Sequence, residues 1–70
     1  MAGLRWLRVQ RGLTLEQVEV LTGVNIASLS RIERGLQEPR PETVVALAKG
    51  LRISARRMAR LLAEDGQDRA

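Results

Sequence analysis

The stretch TGVNIASLSRIERG, residues 22–35, decides how this chain folds. Gly23 ends one helical pattern, and Asn25, a residue that caps helices well, begins another. Within the second helix Leu29 and Ile32 lie three positions apart, so both face the protein interior. The stretch therefore predicts two short helices joined by a tight turn that contains a glycine, as in a helix-turn-helix.

The outward face of this second helix lacks the glutamates and lysines that an ordinary solvated face would carry. It has Ile26, Ala27, Ser30 and Arg31 instead. Small side chains let a helix backbone approach another surface closely, and one arginine then reaches beyond them. The major groove of DNA admits such a helix, with arginine paired to guanine and an aliphatic side chain against a thymine methyl. A plain solvated face is the alternative.

Helical periodicity in the rest of the chain predicts an all-α fold, a compact five-helix bundle. The expected helices cover about residues 2–11, 14–22, 25–35 and 41–51, with a fifth starting after Ser54. Thr14 and Gln17 form a capping box, and Pro41 suits the first turn of a helix. We expect the domain to span residues 1–64 and residues 65–70 to form a frayed, polar C-terminal tail.

The composition excludes several functions. The chain has 70 residues, which is one small domain with little room for a cavity. It contains no Cys and no His, so no disulfide, Cys/His zinc site or nucleophile–base pair that depends on Cys or His is expected. We expect no cofactor and no enzymatic activity. The net charge of +4 favours a polyanionic partner, with a merely solubilising surface as the alternative. Without an apolar run that could cross a membrane, we expect a cytoplasmic protein.

From Leu4 to about Met58 the sequence resembles the helix-turn-helix family of phage repressors and Cro proteins, also called the XRE family. The resemblance is carried by LRWLRVQRGLT (4–14), QVEVLTGVN (17–25), LSRIERG (29–35) and PETVVALAKGL (41–51). It implies a lambda repressor-like DNA-binding domain in which the third helix is the recognition helix.

The resemblance also implies roles for individual residues. Base contacts are implied for Asn25, Ile26, Ala27, Ser30 and Arg31. Contacts to the DNA backbone are implied for Arg11, Thr14, Ser28, Arg34 and Arg40. An ion pair between Arg8 and Glu33 is implied, which would tie the first helix to the third.

Two departures from the family pattern lead to structural expectations. Glu19 replaces a small residue where the two motif helices cross. Because an unpaired buried carboxylate is unfavourable, we expect Glu19 to meet Ser28 or free amides at the start of the third helix. Arg52 stands where glycine commonly ends the fourth helix, so a left-handed backbone is expected there.

The last helix presents two further features. In the family the carboxyl end often makes the dimer contact, so we predict a dimer interface through Ala55, Met58, Leu61 and Leu62, with Trp6 alongside. For Trp6 itself the favoured interpretation is a partly buried cover at the core edge, with the dimer interface as the alternative. A group of arginines has no acid among them, and a solvated face is the default interpretation, with phosphate contact as the alternative: Arg52, Arg56, Arg57 and Arg60.

These features together predict a transcriptional regulator that binds a palindromic operator in double-stranded DNA as a homodimer. A repressor is favoured over an activator. The expected location is the cytoplasm, at the nucleoid, and a separate partner protein could regulate the chain. The alternative is a protein-binding adaptor or antitoxin-like module that uses the apolar surface around Trp6, Val20 and Leu21.

Overall fold

Five α-helices follow one another along residues 3–68, the part of the chain that the computed structural model describes, with side chains described for residues 3–65. They are α1 (Leu4–Gln10), α2 (Leu15–Thr22), α3 (Ile26–Glu33), α4 (Pro41–Leu51) and α5 (Ala55–Asp68). No strand occurs in this range, and the predicted all-α, five-helix fold is confirmed. None of these helices is both long and apolar enough to pass through a lipid bilayer.

Capping side chains set where the helices begin. The Thr14 hydroxyl accepts a hydrogen bond from the Gln17 amide at 3.1 Å, and the Gln17 side chain accepts one from the Thr14 amide at 2.8 Å. Asn25 accepts from the Ala27 amide at 2.8 Å. Ser54 accepts from the amide three residues later at 3.1 Å. Each cap satisfies amides that the first turn of a helix leaves without partners, so these local predictions are confirmed.

The core is built from aliphatic side chains of all five helices. Leu29 and Ile32 of α3 are buried, as their spacing predicts. The buried apolar set comprises Leu4, Leu7, Val18, Leu29, Ile32, Leu47, Ala48, Leu51, Met58, Leu61 and Leu62. Since each fully buried aliphatic side chain contributes about 1.5–3 kcal/mol of transfer free energy, this cluster is the main source of stability.

The apolar stripe of α5 lies inside the protomer, which corrects the predicted dimer interface. Met58, Leu61 and Leu62 are buried because α5 packs this stripe against α1, α3 and α4. The prediction that these three residues contact a second copy is wrong, since they are covered within one protomer. Ala55 is exposed, and Trp6 is half-buried against the core edge.

α5 also continues past residue 64, where the polar tail was predicted to start. The helix runs to Asp68, and Asp65 is buried. The Leu4 amide donates to Asp65 Oδ2 at 2.9 Å, so a carboxylate from α5 caps the positive end of α1. The predicted boundary after residue 64 therefore falls inside a helix, and residues 69 and 70 of the predicted tail lie outside the described residues.

Two backbone positions shape the C-terminal end of α4. A Cβ atom at Gly50 would lie 2.5 Å from Thr22 Cγ2 and 2.6 Å from the Leu21 carbonyl oxygen. Glycine therefore lets α4 pack directly on the C-terminal turn of α2. α4 ends at Arg52 with φ 57° and ψ 49°, the left-handed conformation that was predicted, which is unfavourable by on the order of 1 kcal/mol for a residue with a side chain.

Candidate nucleic-acid interface

The turn between α2 and α3 occupies residues 23–25. Gly23 has φ 77° and ψ 3°, and its amide donates to the Glu19 carbonyl at 2.7 Å. Only glycine adopts this left-handed conformation readily. The amide of Val24 donates to the Thr22 hydroxyl at 3.2 Å, so the whole turn is held by short-range hydrogen bonds.

The side chain of Glu19 connects the two motif helices. Its Oε2 accepts a hydrogen bond from the Ile26 amide at 2.9 Å, which confirms the expected contact with a free amide at the start of α3. The carboxylate lies at the positive end of that helix, where negative charge is favourable. The Glu19 carboxylate therefore has a hydrogen-bond donor, and it links α2 to the first turn of α3.

The outer side of α3 is small and nearly free of acid. Asn25, Ala27 and Arg31 are exposed, while Ile26 and Ser30 are half-buried. The first turn of α3 contains no acidic residue. The structure thus leaves all five predicted base-contacting residues accessible along one short helix and the cap before it.

The side chain of Arg31 is positioned by the loop that follows α3. Its Nε donates to Gln37 Oε1 at 2.8 Å, and its Nη2 lies 3.4 Å from the Ser28 hydroxyl. Nη1 has no partner among the described residues. Two neighbours therefore restrain an exposed guanidinium, which reduces the conformational freedom it would lose on binding. Sequence reasoning missed Gln37, because nothing in the periodicity of a loop marks its partners.

The residues predicted to contact the DNA backbone fall into two groups. Arg34 and Arg40 are exposed, and Arg34 Nε donates only to the Ser30 carbonyl, at 3.3 Å. Thr14 is exposed at the start of α2, and Ser28 is half-buried on α3. Arg11 differs from them, because its Nη1 donates to the Leu51 carbonyl at the C-terminal end of α4. That position suits a positive charge near a helix C-terminus, so Arg11 has a structural role that the sequence did not indicate.

An ion pair fixes α3 from its buried side. Arg8 Nε lies 2.6 Å from Glu33 Oε2, and Arg8 Nη2 lies 3.0 Å from Glu33 Oε1. A third donor, Nη1, reaches the Leu13 carbonyl at 2.9 Å. The two side chains are only 15% and 7% exposed, and the hydrogen bond and charge of Glu33 raise the pKa of the Arg8 guanidinium against the lowering effect of burial. The predicted pair is present, and it joins α1, α3 and the loop before α2.

Acidic side chains are too dispersed in the described part of the chain to hold a metal ion, since no three of them form a group. Glu19 and Glu33 are engaged by the Ile26 amide and the Arg8 guanidinium. The chemistry that the α3 surface offers therefore comes from arginine, amide, hydroxyl and small aliphatic groups.

Exposed aliphatic side chains lie on the outer side of α2. Val20 is 84% exposed, and Leu21 is exposed beside it. Both line a shallow depression with Leu13. Trp6 is not part of that lining, so the apolar surface predicted for an adaptor is reduced to the α2 side chains and Leu13.

Comparison with known proteins places these features in context. Residues 2–61 match the family model described as a helix-turn-helix domain. The chain is 45% identical over 51 residues to the HTH-type transcriptional repressor RghR of Bacillus subtilis (strain 168), covering 71% of this chain and 38% of that protein. It is 42% identical over 48 residues to the uncharacterized HTH-type transcriptional regulator y4dJ of Sinorhizobium fredii, covering 69% and 62%. The chain thus spans less than two thirds of either relative, and no solved structure matches it significantly.

Proposed function

Because this chain belongs to the helix-turn-helix domain family, we propose that it is an XRE-type transcriptional regulator that binds double-stranded DNA and acts in the cytoplasm. The observation that carries the proposal is the outer side of α3, which is small, exposed and nearly free of acid. Arg31 stands on it, restrained by Gln37. The regulators named among the relatives support the same role, and RghR, named a repressor, favours repression over activation.

In this proposal α3 lies in the major groove and reads bases. The side-chain Oδ1 of Asn25 already accepts hydrogen bonds from amides of α3. Its side-chain NH₂ group is therefore the part left to donate to a base. Arg31 pairs with guanine through the side of its guanidinium that carries Nη1, which has no partner among the described residues. Ile26 is half-buried, so it can contact a thymine methyl only when that methyl lies close to α3. The small side chains of Ala27 and Ser30 allow the α3 backbone to approach the DNA closely.

Backbone contacts hold α3 in register. The proposed set is Thr14, Ser28, Arg34 and Arg40. Arg34 and Arg40 supply positive charge on the loop side of α3, and Thr14 lies at the positive end of α2, which favours a phosphate. Arg11 is left out of this set because the Leu51 carbonyl engages it.

We further propose that the regulator binds a palindromic operator as a homodimer. A single recognition helix reads only one half-site, and a two-fold dimer places two of them about 34 Å apart, one turn of DNA. Of the residues predicted for the interface, Ala55 and Trp6 remain at the protomer surface. A protein-binding adaptor is the second candidate function, and the exposure of Val20 and Leu21 on α2 is the observation that favours it.

The proposal is tested by selecting duplexes from a random pool with the purified protein and measuring the affinity of the selected duplex against salt concentration. We expect one palindromic consensus, a steep loss of affinity with salt, and two chains per duplex by light scattering. No binding to any duplex at low salt would contradict the proposal and favour the adaptor. One chain per duplex would contradict only the homodimer.

Replacing Arg31 with Ala is expected to weaken binding to the selected duplex by about 1–3 kcal/mol, roughly 5- to 150-fold. The base preference at one operator position should relax, because the guanidinium pairs with a single base. Fluorescence anisotropy on the selected duplex and its single-base variants measures both effects. Arg34→Ala is the matched control and should weaken all duplexes alike. An equal loss on every duplex for Arg31→Ala would show that it contacts only phosphate.

A further inference from the structure

We propose that the arginines at the start of α5 bind phosphates of the DNA that flanks the bases read by α3. These residues, here called the α5 arginines, are Arg56, Arg57 and Arg60 of α5, together with Arg52, which caps the end of α4 just before it. The inference rests on the proposed function and adds a second DNA-contacting surface to the residues proposed above.

The α5 arginines supply four of the twelve basic residues of a protein with a net charge of +4. The chain has twelve basic and eight acidic residues, a difference of four. All four arginines are exposed, and no side chain among them forms an ion pair or donates a hydrogen bond within residues 3–65. Four exposed positive charges therefore lie within nine residues, around the start of α5, and neighbouring side chains do not neutralise them.

Two of these arginines occupy an unfavourable position for their charge. Arg56 and Arg57 lie in the first turn of α5, which has no acidic residue, and the N-terminus of a helix carries positive partial charge. The first turns of α2 and α4 follow the opposite and favourable rule, with Glu16 and Glu42. Arg52 adds a second departure, since it holds a left-handed conformation that glycine would adopt more easily. Departures from local preference are expected where side chains serve binding.

A groove places one of the α5 arginines beside the start of α4. Arg56 of α5 and Arg40 at the start of α4 line the same open groove, together with Glu38. Arg40 is already proposed as a backbone contact, and the loop that leads to it contains Gln37, the partner of Arg31. Arg40 thus follows the loop that holds Arg31, and it shares the groove with Arg56. One acid shares the groove with two arginines, which leaves its charge positive.

Arg60 extends this surface by one helical turn beyond Arg56, because residues four apart lie on the same side of a helix. A DNA duplex carries one negative charge for about every 1.7 Å of its axis. Arg40, Arg56 and Arg60 can therefore engage phosphates beyond the operator. The α5 arginines lengthen the DNA segment that one protomer covers and add affinity without reading bases.

The test compares Arg56→Gln/Arg60→Gln with a matched control, Arg5→Gln/Lys49→Gln, which removes the same charge from exposed positions on α1 and α4. Each protein is titrated with salt on the selected duplex with long flanks and on one trimmed to the operator. On the long duplex the salt slope of the variant should fall by about two per protomer, since each lost phosphate contact changes it by about 0.9. On the trimmed duplex the variant and the wild type should have the same slope.

Several outcomes separate the inference from the proposed function. Equal slopes for the variant and the control on the long duplex would overturn the inference alone, whereas failure of the wild type to bind any duplex would overturn both. A lower mass of the DNA-free variant in solution would show that a second copy occupies the groove, and this too would overturn the inference. Thermal unfolding followed by circular dichroism provides a check on folding: the variant should melt no earlier than the wild type, because it loses charge at the positive end of α5.

Discussion

Replacing Glu33 with Gln is expected to lower the free energy of unfolding by about 3–5 kcal/mol, the effect of removing one partner from a buried ion pair. Glu33 is 7% exposed and accepts two hydrogen bonds from Arg8. The variant leaves a guanidinium that is charged, 15% exposed and without its counterion. Because small domains are stable by only about 5–15 kcal/mol, this change removes a large part of the total. Urea unfolding followed by circular dichroism measures it.

The double variant Arg8→Met/Glu33→Leu is the informative control. Apolar side chains of similar size need no counterion, so much of the lost stability should return. Together with the single variants Arg8→Met and Glu33→Leu, the double variant closes a double-mutant cycle that gives the coupling energy of the pair. Glu42→Gln, at an exposed position in the first turn of α4, should lower the free energy of unfolding by less than about 1 kcal/mol. A loss of that small size for Glu33→Gln would contradict the role assigned to the pair.

Sequence predicted the fold well wherever a residue acts on neighbours close in the chain. Thr14 and Gln17 form their capping box, and Asn25 caps α3, because three-residue spacing alone brings these groups together. The face that Leu29 and Ile32 share was predictable for the same reason. The Arg8–Glu33 pair is separated by 25 positions, so it could be expected only from resemblance to a family.

The errors arose where a distant element decides the outcome. Periodicity identified the apolar stripe of α5 but could not say what covers it, and α1, α3 and α4 cover Met58 within the protomer. The polar sequence after residue 64 predicted a tail, yet Asp65 caps α1 across 61 positions of sequence. In the candidate site the same applies to Arg31 and Arg11. A long side chain finds its partner, here Gln37 or the Leu51 carbonyl, only once the helices are packed.

Replacing Ala27 with Glu is expected to abolish binding to the selected duplex and to leave the fold intact. Ala27 is exposed on the outer side of α3, so a carboxylate there would face the phosphates and base acceptors of the groove. Like charges brought together at an interface cost several kcal/mol, which corresponds to a loss of affinity of at least about 100-fold. The first turn of α3 has no acidic residue, so the new charge at the positive end of this helix should stabilise the domain slightly. Fluorescence anisotropy and thermal unfolding measure the two effects separately.

Val20→Glu is the matched control, since it makes the same change of charge on α2, at a side chain that is 84% exposed. In the proposed arrangement Val20 does not face the DNA, so this variant should lose little affinity, a few-fold at most from the change in net charge. Similar losses for the two variants would mean that total charge, and not the α3 surface, governs binding. Full affinity for Ala27→Glu would show that α3 does not lie in the major groove. If the chain were instead an adaptor, Val20→Glu would weaken binding to its protein partner more than Ala27→Glu. Val20→Glu would place a charge on the apolar surface, and Ala27→Glu would leave that surface unchanged.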